Sequence, residues 1–421
     1  MRRLLLGLTC LTSLSTAALA QQAVTVKSGD LSLKLDTRVT MDGAMYIPGT
    51  DTEGWKWGNE DFQFSNGANI TQARFGVWGS LGEKWTGKID VKVVDRQITL
   101  QDVFLDYKLN PKSLYIRAGY YVDPVSVEAN AASSFLSLNT PTAISMFAHQ
   151  TRFMTLSLTS FGQHHYVAGG FYGSSLGGSK NKANRGSDGW GVTLRGAYIP
   201  INEIDNTLYI GAYARYRTPD VSVTGSRDVM TFGTHPGSTI DGRNFTSGSL
   251  TNVRGYALFG GELAITRGKF HLMGEYIANN VYFKDESAYQ RKSAFFHGAY
   301  VTGSYMLIGR QRKYLNYWGI FSPLANIPRT GGLELIGRLS YVNANSVGKG
   351  SETPIRMGES AVATLGLNWY PTGGNLLIGL NYNYTMQDQY SRAAGKLVAP
   401  TGQEDKGFNF HTLQCRVQYV F

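Results

Sequence analysis

Positively charged side chains recur at alternate positions in several segments of this sequence. Arg215 and Arg217, in "NTLYIGAYARYR", are two residues apart, and this segment contains no acidic residue. In an extended strand this spacing puts both guanidinium groups on one face. A guanidinium group can hold a phosphate or a carboxylate through two parallel hydrogen bonds. This pattern could therefore attract anions, if a strand exposes that face to water.

Apolar and polar residues alternate along most of the chain, which indicates strands that bury one face. In "LSLKLDTRVTM", for example, three leucines and Val39 share one face, and Lys34, Asp36 and Arg38 lie on the other. Ordinary strands have about five or six residues, but a tilted strand needs about nine to eleven to cross a bilayer. Most of the predicted strands reach that length. The sixteen predicted strands are 31–45, 69–81, 84–95, 98–109, 113–122, 151–159, 164–173, 189–199, 207–217, 254–266, 269–280, 296–308, 331–342, 359–370, 374–386 and 408–421.

The connections between these strands alternate in length. Odd-numbered connections are long, except 96–97, and even-numbered ones are short, except 309–330. Short periplasmic turns and long outer loops are typical of outer-membrane barrels. After residue 20, no stretch approaches about eighteen consecutive apolar residues, the length that a transmembrane helix needs. We therefore predict an all-β protein, a transmembrane antiparallel β-barrel of about 16 strands in the outer membrane of a Gram-negative bacterium. A soluble exported β-sandwich is the structural alternative.

The last segment, "HTLQCRVQYVF", shows what closure of the barrel requires. A bilayer offers no hydrogen-bonding partner to the backbone, so a sheet can span it only if its first and last strands pair. We expect the final strand to turn one alternating set of residues to lipid and the other to the lumen. The lipid-facing set is Leu413, Cys415, Val417, Tyr419 and Phe421; the lumen-facing set is Thr412, Gln414, Arg416 and Gln418.

The first twenty residues, "MRRLLLGLTCLTSLSTAALA", have two arginines, a short apolar stretch and an A-x-A-like end. This pattern predicts a cleaved signal peptide over 1–20 and an exported chain over 21–421. Cys415 is the only cysteine after residue 20, so that chain cannot form an intramolecular disulfide. No linker or change of composition divides it, and we expect a single barrel domain.

Sixteen strands enclose a lumen wide enough for water. The formal net charge is +10, and a Lys or Arg at mid-membrane on the lipid side costs about 2–4 kcal/mol. The basic residues should therefore lie in loops or line the pore, where they would favour anions. The simpler alternative is a set of solvated wall charges, partly cancelled by nearby acids. The pore-lining candidates are Lys34, Arg38, Arg74, Lys88, Lys92, Arg117, Arg195, Arg215, Arg217, Arg338 and Arg416.

The connection 123–150, "DPVSVEANAASSFLSLNTPTAISMFAHQ", is long and moderately apolar. A solvent-exposed loop has no need of residues such as Phe135, Ile144 and Phe147. We expect this connection to fold inward and narrow the pore, and contact with a neighbouring subunit is the alternative. Its candidate constriction residues are Asp123, Glu128, Ser133 and Ser134.

We predict a porin through which small hydrophilic solutes diffuse passively, with anions favoured, and two other kinds of function are the alternatives. An enzyme needs a nucleophile, a base and an orienting group that converge, but no G-x-S-x-G and no histidine pair on one strand face occurs. A surface-binding or structural barrel with a blocked pore would use its outer loops 46–68 and 218–253. We expect no catalytic residues, cofactor, metal or nucleic-acid partner; the expected partners are outer-membrane lipid and small anionic or neutral solutes.

Several stretches resemble the phosphate-selective porin O/P family. They are "ITQARFGVWGSLGEKWTGKIDVKVVD", "LQDVFLDYK", "LYIRAGYYVDPVSVEANAASSFLSL", "GGLELIGRLSYVNAN" and "NWYPTGGNLLIGLNYNYT". The third contains a G-x-x-x-x-P-x-S-x-E pattern at Gly119, Pro124, Ser126 and Glu128. The resemblance implies a sixteen-stranded homotrimeric porin whose third loop narrows a channel lined with Arg and Lys. This chain departs from that pattern, because no Lys or Arg occurs between Arg117 and Arg152.

Overall fold

The computed structural model describes twelve parts of the chain, and the predicted signal peptide and Phe421 lie outside them. Within these parts the chain consists mainly of strands, with two short α-helices and one turn of 3-10 helix. None of the helices in these parts is long and apolar enough to pass through a membrane. The described residues are 24–138, 141–148, 152–173, 186–187, 189–222, 228–235, 237–285, 289–322, 327–328, 330–371, 374–391 and 396–420.

Sixteen long antiparallel strands form one sheet, as the alternation predicts, and each pairs with its neighbours in the sequence. The strands are β1 Leu31–Pro48, β2 Gly67–Leu81, β3 Trp85–Val94, β4 Gln97–Asn110, β5 Leu114–Val122, β6 Arg152–Phe161, β7 His165–Tyr172, β8 Gly191–Glu203, β9 Asn206–Arg217, β10 Val253–Arg267, β11 Phe270–Phe283, β12 Ser293–Ile308, β13 Gly332–Ser346, β14 Ile355–Tyr370, β15 Leu376–Gln387 and β16 Phe408–Val420.

The first and last strands close the sheet into a barrel. β1 pairs antiparallel with β16 from Arg38 opposite Val420 to Pro48 opposite Phe410. β16 also pairs with β15 on its other side, so the backbone groups of the last strand have partners on both sides. This ring closure confirms the predicted barrel and contradicts a sandwich, which would leave open edges.

The two faces of β16 differ as the alternation predicts. Thr412, Gln414 and Gln418 are buried on the inside, whereas Leu413 and Cys415 are exposed on the outside. Around the rest of the barrel, large apolar side chains such as Leu365, at 65 % exposure, form the outer surface. An apolar surface this extensive indicates contact with lipid.

Shorter elements lie in the connections. A first short strand, Thr25–Ser28, extends the sheet at the start of β1. The connection between β5 and β6 contains α1 (Val127–Asn130), the 3-10 turn Ser133–Phe135 and α2 (Thr142–Phe147). The remaining short strands pair as Lys56–Trp57 with Glu60–Asp61 and Leu397–Val398, Gly186–Ser187 with Val221–Ser222, Met230–Thr234 with Thr246–Leu250, and Tyr314–Leu315 with Ile320–Phe321.

Part of the barrel interior is an apolar core. Ile144 and Phe147 of α2 belong to one buried cluster with Leu258, Ile277 and Val342, which point inward from β10, β11 and β13. Sequence alternation alone assigns apolar residues to the outer face. Here the inward positions are apolar too, because the connections that enter the barrel must bury apolar surface against its wall.

Candidate functional site in the barrel lumen

The connection between β5 and β6 enters the lumen and is fixed there by buried polar contacts. Ser126 donates a hydrogen bond through Oγ to Glu275 of β11 (3.0 Å), and the backbone N–H of Glu128 donates to the same oxygen (3.2 Å). Ser126 has a positive φ of 63°, which costs free energy in a non-glycine residue. These contacts hold α1 against the wall far from the strands that flank it in sequence.

Asp123 begins this connection and is fully buried. Arg215 of β9 donates two hydrogen bonds to its carboxylate, at 3.0 and 2.6 Å, and Thr193 Oγ1 donates a third at 2.6 Å. The sequence offers no acid within the strand of Arg215, but the folded chain supplies one from another segment. The neighbouring Arg217 lies 3.5 Å from Asp220. Neither arginine is therefore free to act as an unpaired pore charge.

Glu128 also makes an ion pair, with Arg338 of β13 at 2.8 Å. The two acidic residues that we selected in this connection thus serve as anchors to the wall. The two serines that we selected lie in the 3-10 turn of the same connection. Ser134 Oγ accepts a hydrogen bond from Arg38 of β1 (2.8 Å), and Ser133 Oγ donates one to Gln72 of β2 (2.8 Å).

Arg38, the partner of Ser134, is the first of three basic residues that lie opposite one another on neighbouring strands. Arg38 lies opposite Arg74 across β1 and β2, and Arg74 lies opposite Lys92 across β2 and β3. Like charges placed directly opposite each other destabilise a sheet. Among the described residues, neither Arg38 nor Lys92 has an acidic partner within 4.0 Å. We name Arg38, Arg74 and Lys92 the basic row.

Other charges beside the basic row reduce its net charge but do not cancel it. Arg74 contacts Asp90 and also Asp102, at 3.2 Å, and Lys88 reaches Asp36 at 2.8 Å. Arg152 of β6, which we did not select, donates to Asp102 at 2.8 Å. The group has five cations and three acids, a difference of two positive charges. The cations are Arg38, Arg74, Lys88, Lys92 and Arg152, and the acids are Asp36, Asp90 and Asp102.

The remaining candidates do not join this group. Arg117 forms two hydrogen bonds with Asp106, at 2.6 and 2.8 Å, and Arg195 is 3.1 Å from Glu262. Arg416 pairs with Asp42 through two hydrogen bonds, at 2.7 and 3.0 Å. Lys34 is exposed near the start of β1. Six of the pore-lining candidates are each paired with an acid, which reduces the positive charge that they could offer to a passing anion: Arg117, Arg195, Arg215, Arg217, Arg338 and Arg416.

A second connection enters the lumen from the outer rim, which we did not predict. The hairpin formed by Met230–Thr234 and Thr246–Leu250 packs against α2, with the rings of Phe232 and Phe147 6.1 Å apart. At its tip, the carbonyl of Gly237 accepts a hydrogen bond from Gln414 of β16 (2.8 Å). We name this element the inner hairpin. The apolar residues of this hairpin could have indicated in the sequence that it packs inside the barrel. They lie in the connection 218–253, which we assigned to the outer loops.

The tip of the inner hairpin is fastened to the outer rim. Arg243 forms an ion pair with Asp241 at 2.5 Å and donates to the carbonyl of Gln63 at 2.6 Å. Phe245 joins an aromatic cluster with residues of three other segments. His235 is half-buried nearby, and this partial burial lowers its pKa. At neutral pH His235 is therefore uncharged and adds no positive charge to the tip.

The long connection between β12 and β13 enters from the opposite rim. Tyr317 donates a hydrogen bond to Asp106 (2.7 Å), and the carbonyl of Gly319 accepts one from Arg195 (2.8 Å). The Trp318 ring lies 5.3 Å from that of Trp78. This connection therefore covers the paired charges of β4, β5 and β8. The basic row and the inward-facing polar residues of β15 and β16, such as Asn383 and Gln414, take no part in these contacts.

The described residues contain no group of three or more His, Cys, Asp or Glu side chains arranged to hold a metal ion.

Comparison with known sequences gives one family and one curated relative. The family model for phosphate-selective porin O and P matches residues 50–421. Porin O of Pseudomonas aeruginosa is 26% identical over 255 residues, which are 56% of this chain and 55% of that protein. The match thus spans about half the length of the curated relative.

Solved structures of similar fold are outer-membrane proteins of low sequence identity. OmpT of Vibrio cholerae aligns with a TM-score of 0.55 and 10% identity over 94% of this chain and 100% of its own. An anion-selective porin of Comamonas acidovorans gives 0.52 and 12% over 93% and 100%. The channel DcaP of Acinetobacter baumannii gives 0.51 and 12% over 95% and 100%. These likenesses support the barrel fold.

Proposed function

We propose that this chain, which belongs to the phosphate-selective porin O and P family and is a porin of the outer membrane, lets small anions diffuse through its lumen in preference to cations. The basic row carries this proposal. Two of its three cations have no acid within ion-pair distance among the described residues, and one of these two, Arg38, donates a hydrogen bond to Ser134 of the connection that enters the lumen. A positive wall in a narrow aqueous passage concentrates anions and repels cations.

The proposed preference is for anions in general rather than for phosphate. The connection that enters the lumen between β5 and β6 contains no Lys or Arg. Its acids, Asp123 and Glu128, neutralise Arg215 and Arg338. A phosphate site needs several convergent donors of positive charge, and this connection contributes none. Small neutral solutes should pass as well, because a porin wall lined with hydroxyl and amide groups does not exclude them.

We further propose that the channel is a homotrimer without enzymatic activity. OmpT of V. cholerae is known in a trimer form, and the family resemblance implies the same assembly. Native mass spectrometry of the protein extracted in mild detergent should give three times the mass of one chain.

The proposed function is tested by the reversal potential of the purified protein in a planar bilayer. With a KCl gradient across the membrane, we expect a potential displaced toward the chloride equilibrium value. Repeating the measurement with potassium phosphate compares the two anions. A potential displaced toward the potassium value would overturn the proposal.

A second candidate function is a barrel with a blocked pore that acts at the cell surface. The inner hairpin and the connection between β12 and β13 favour it, because both occupy space inside the barrel. A protein of this kind would give no current steps in the same bilayer, although it inserts correctly.

A further inference from the structure

Two connections that enter the barrel from opposite rims touch each other at Arg312. This residue lies in the connection between β12 and β13, and its guanidinium group reaches the connection between β5 and β6. Nη1 donates a hydrogen bond to the carbonyl of Phe135 at 2.8 Å, and Nη2 donates one to Ser137 Oγ. Arg312 is only 9% exposed. These contacts join a segment near the periplasmic rim to the connection that enters from the outer rim.

The backbone on either side of Arg312 is fixed. The side-chain amide of the preceding residue, Gln311, donates hydrogen bonds to the carbonyls of Lys269 (3.0 Å) and Ser304 (3.2 Å). Both acceptors lie near the rim from which the connection between β12 and β13 enters. The short hairpin of this connection begins two residues after Arg312. The guanidinium group therefore extends from a part of the chain that is itself attached to the wall.

The positive charge of Arg312 is neutralised by Glu334 of β13, which is fully buried. Nη2 lies 3.3 Å from Glu334 Oε1. Ser137 Oγ donates to the two oxygens of the same carboxylate, at 2.9 and 2.7 Å, and Tyr370 of β14 donates to Oε2 at 2.8 Å. Charge-assisted hydrogen bonds in a buried network fix the geometry of the groups that they join. The pair thus holds Ser137 to the wall without adding net charge to the lumen.

The other end of the same segment reaches the basic row. Ser134 is one residue before the carbonyl that Arg312 binds, and its Oγ accepts a hydrogen bond from Arg38 at 2.8 Å. The carbonyl of Ser134 also accepts one from Gln418 of β16, at 3.3 Å. Segment 133–137 is therefore attached to β1 and β16 at one end and to Arg312 and β13 at the other. Since consecutive Cα atoms are about 3.8 Å apart, a displacement at the second end also moves the first.

We propose that Arg312 is a positioning residue for ion selection, because its contact from the opposite rim holds segment 133–137 in the lumen and sets the place of Ser134 in front of Arg38. The inference rests on the proposed function, since it assumes that ions are selected at the basic row. Without this contact, segment 133–137 moves away from β1 and the passage beside the basic row widens. Ions then pass farther from the charges, and the Coulomb energy that distinguishes anions from cations falls.

The test uses the purified full-length protein with both members of the ion pair replaced, Arg312→Gln with Glu334→Gln. This double variant keeps the net charge and leaves neither charge buried without its partner. In a planar bilayer with a KCl gradient, its permeability ratio of chloride to potassium should fall about twofold, and its single-channel conductance should rise. Hydrogen–deuterium exchange, read by mass spectrometry, should be faster over 133–137 than in the wild type. Arg312→Lys keeps the charge and one donor to Phe135, and should keep most of the wild-type ratio.

Arg310→Gln is the matched control for a change in this connection. The Arg310 side chain is 62% exposed and lies 3.8 Å from Asp205, so the substitution should change neither the ratio nor the exchange over 133–137. Adding Ser134→Ala to the double variant tests whether Arg312 acts through Ser134. The ratio should then fall no further than in the more affected parent, because the two changes act on one contact.

The migration of unheated protein on gels confirms that each variant is folded. An unchanged ratio or unchanged exchange in the folded double variant would overturn the inference even if the wild type prefers anions. An equal effect of Arg310→Gln would also overturn it, as would a further, additive fall on adding Ser134→Ala. A wild type without anion preference would contradict the proposed function instead, and the exchange over 133–137 would still test the contact that Arg312 makes.

Discussion

Lys92 gives the sharpest test of how the lumen selects ions, because its charge is not paired. Lys92→Gln removes one positive charge and keeps a polar side chain of similar reach. The local difference of two positive charges then falls to one. Arg38 remains in place, so the hydrogen bond to Ser134 and the path of the connection between β5 and β6 are retained.

The size of the effect follows from Coulomb's law. An ion about 6 Å from the ammonium group in water interacts with it by about 0.7 kcal/mol. At an ionic strength of about 0.1 M, screening lowers this to about 0.4 kcal/mol. The sign is opposite for chloride and potassium, so their difference changes by about 0.8 kcal/mol. The permeability ratio of chloride to potassium should therefore fall about fourfold.

The assay is the reversal potential at two salt concentrations. At about 1 M salt the screening length is about 3 Å, and the same substitution should change the ratio by less than about 1.5-fold. Lys112→Gln, at an exposed turn between β4 and β5, removes an equal charge outside the lumen and should leave the ratio unchanged. An unchanged ratio in Lys92→Gln at low salt would refute the reasoning. So would an equal change in the two variants, which would indicate a surface-charge effect.

Two further predictions concern the elements inside the barrel. Arg215→Gln should destabilise the folded protein by about 3–5 kcal/mol, because it leaves the buried Asp123 carboxylate unpaired. Urea unfolding measures this loss, and adding Asp123→Asn should restore part of it. An additive loss in the double variant would contradict the ion pair. Replacing 236–244 by a short Gly-Ser link should raise the single-channel conductance, because the tip of the inner hairpin lies over Gln414 and Asn383; unchanged conductance would show that ions do not pass beneath it.

The barrel could be predicted from the sequence because its constraint is local and repeated. In a bilayer, each strand must be long and must present one apolar face, and both features can be counted residue by residue. The errors in strand bounds lie mainly at the outer rim. β14, for example, begins at Ile355 rather than at 359, and Ile355 and Met357 point inward to the inner hairpin. Above the membrane the inside of the wall is apolar, so the alternation no longer marks the lipid side.

The pairing of charges could not be predicted, because it depends on contacts between distant segments. Arg215 meets Asp123, 92 residues away, and Arg338 meets Glu128, 210 residues away. Strand phase correctly puts both arginines on the inner face, but it contains no information about which connection enters the barrel. The basic row does not depend on contacts between distant segments, because Arg38, Arg74 and Lys92 lie on consecutive strands and the register of those strands places them side by side.

The central claim is that ions pass along the basic row through an open lumen, and single-channel current of a Lys92→Cys variant tests it most directly. A negatively charged methanethiosulfonate reagent is added after insertion, with Cys415→Ser as the background. We predict resolved current steps that shrink on modification and a shift of selectivity toward potassium. A channel without current, or a current that the reagent leaves unchanged although mass spectrometry shows modification at position 92, would contradict the account.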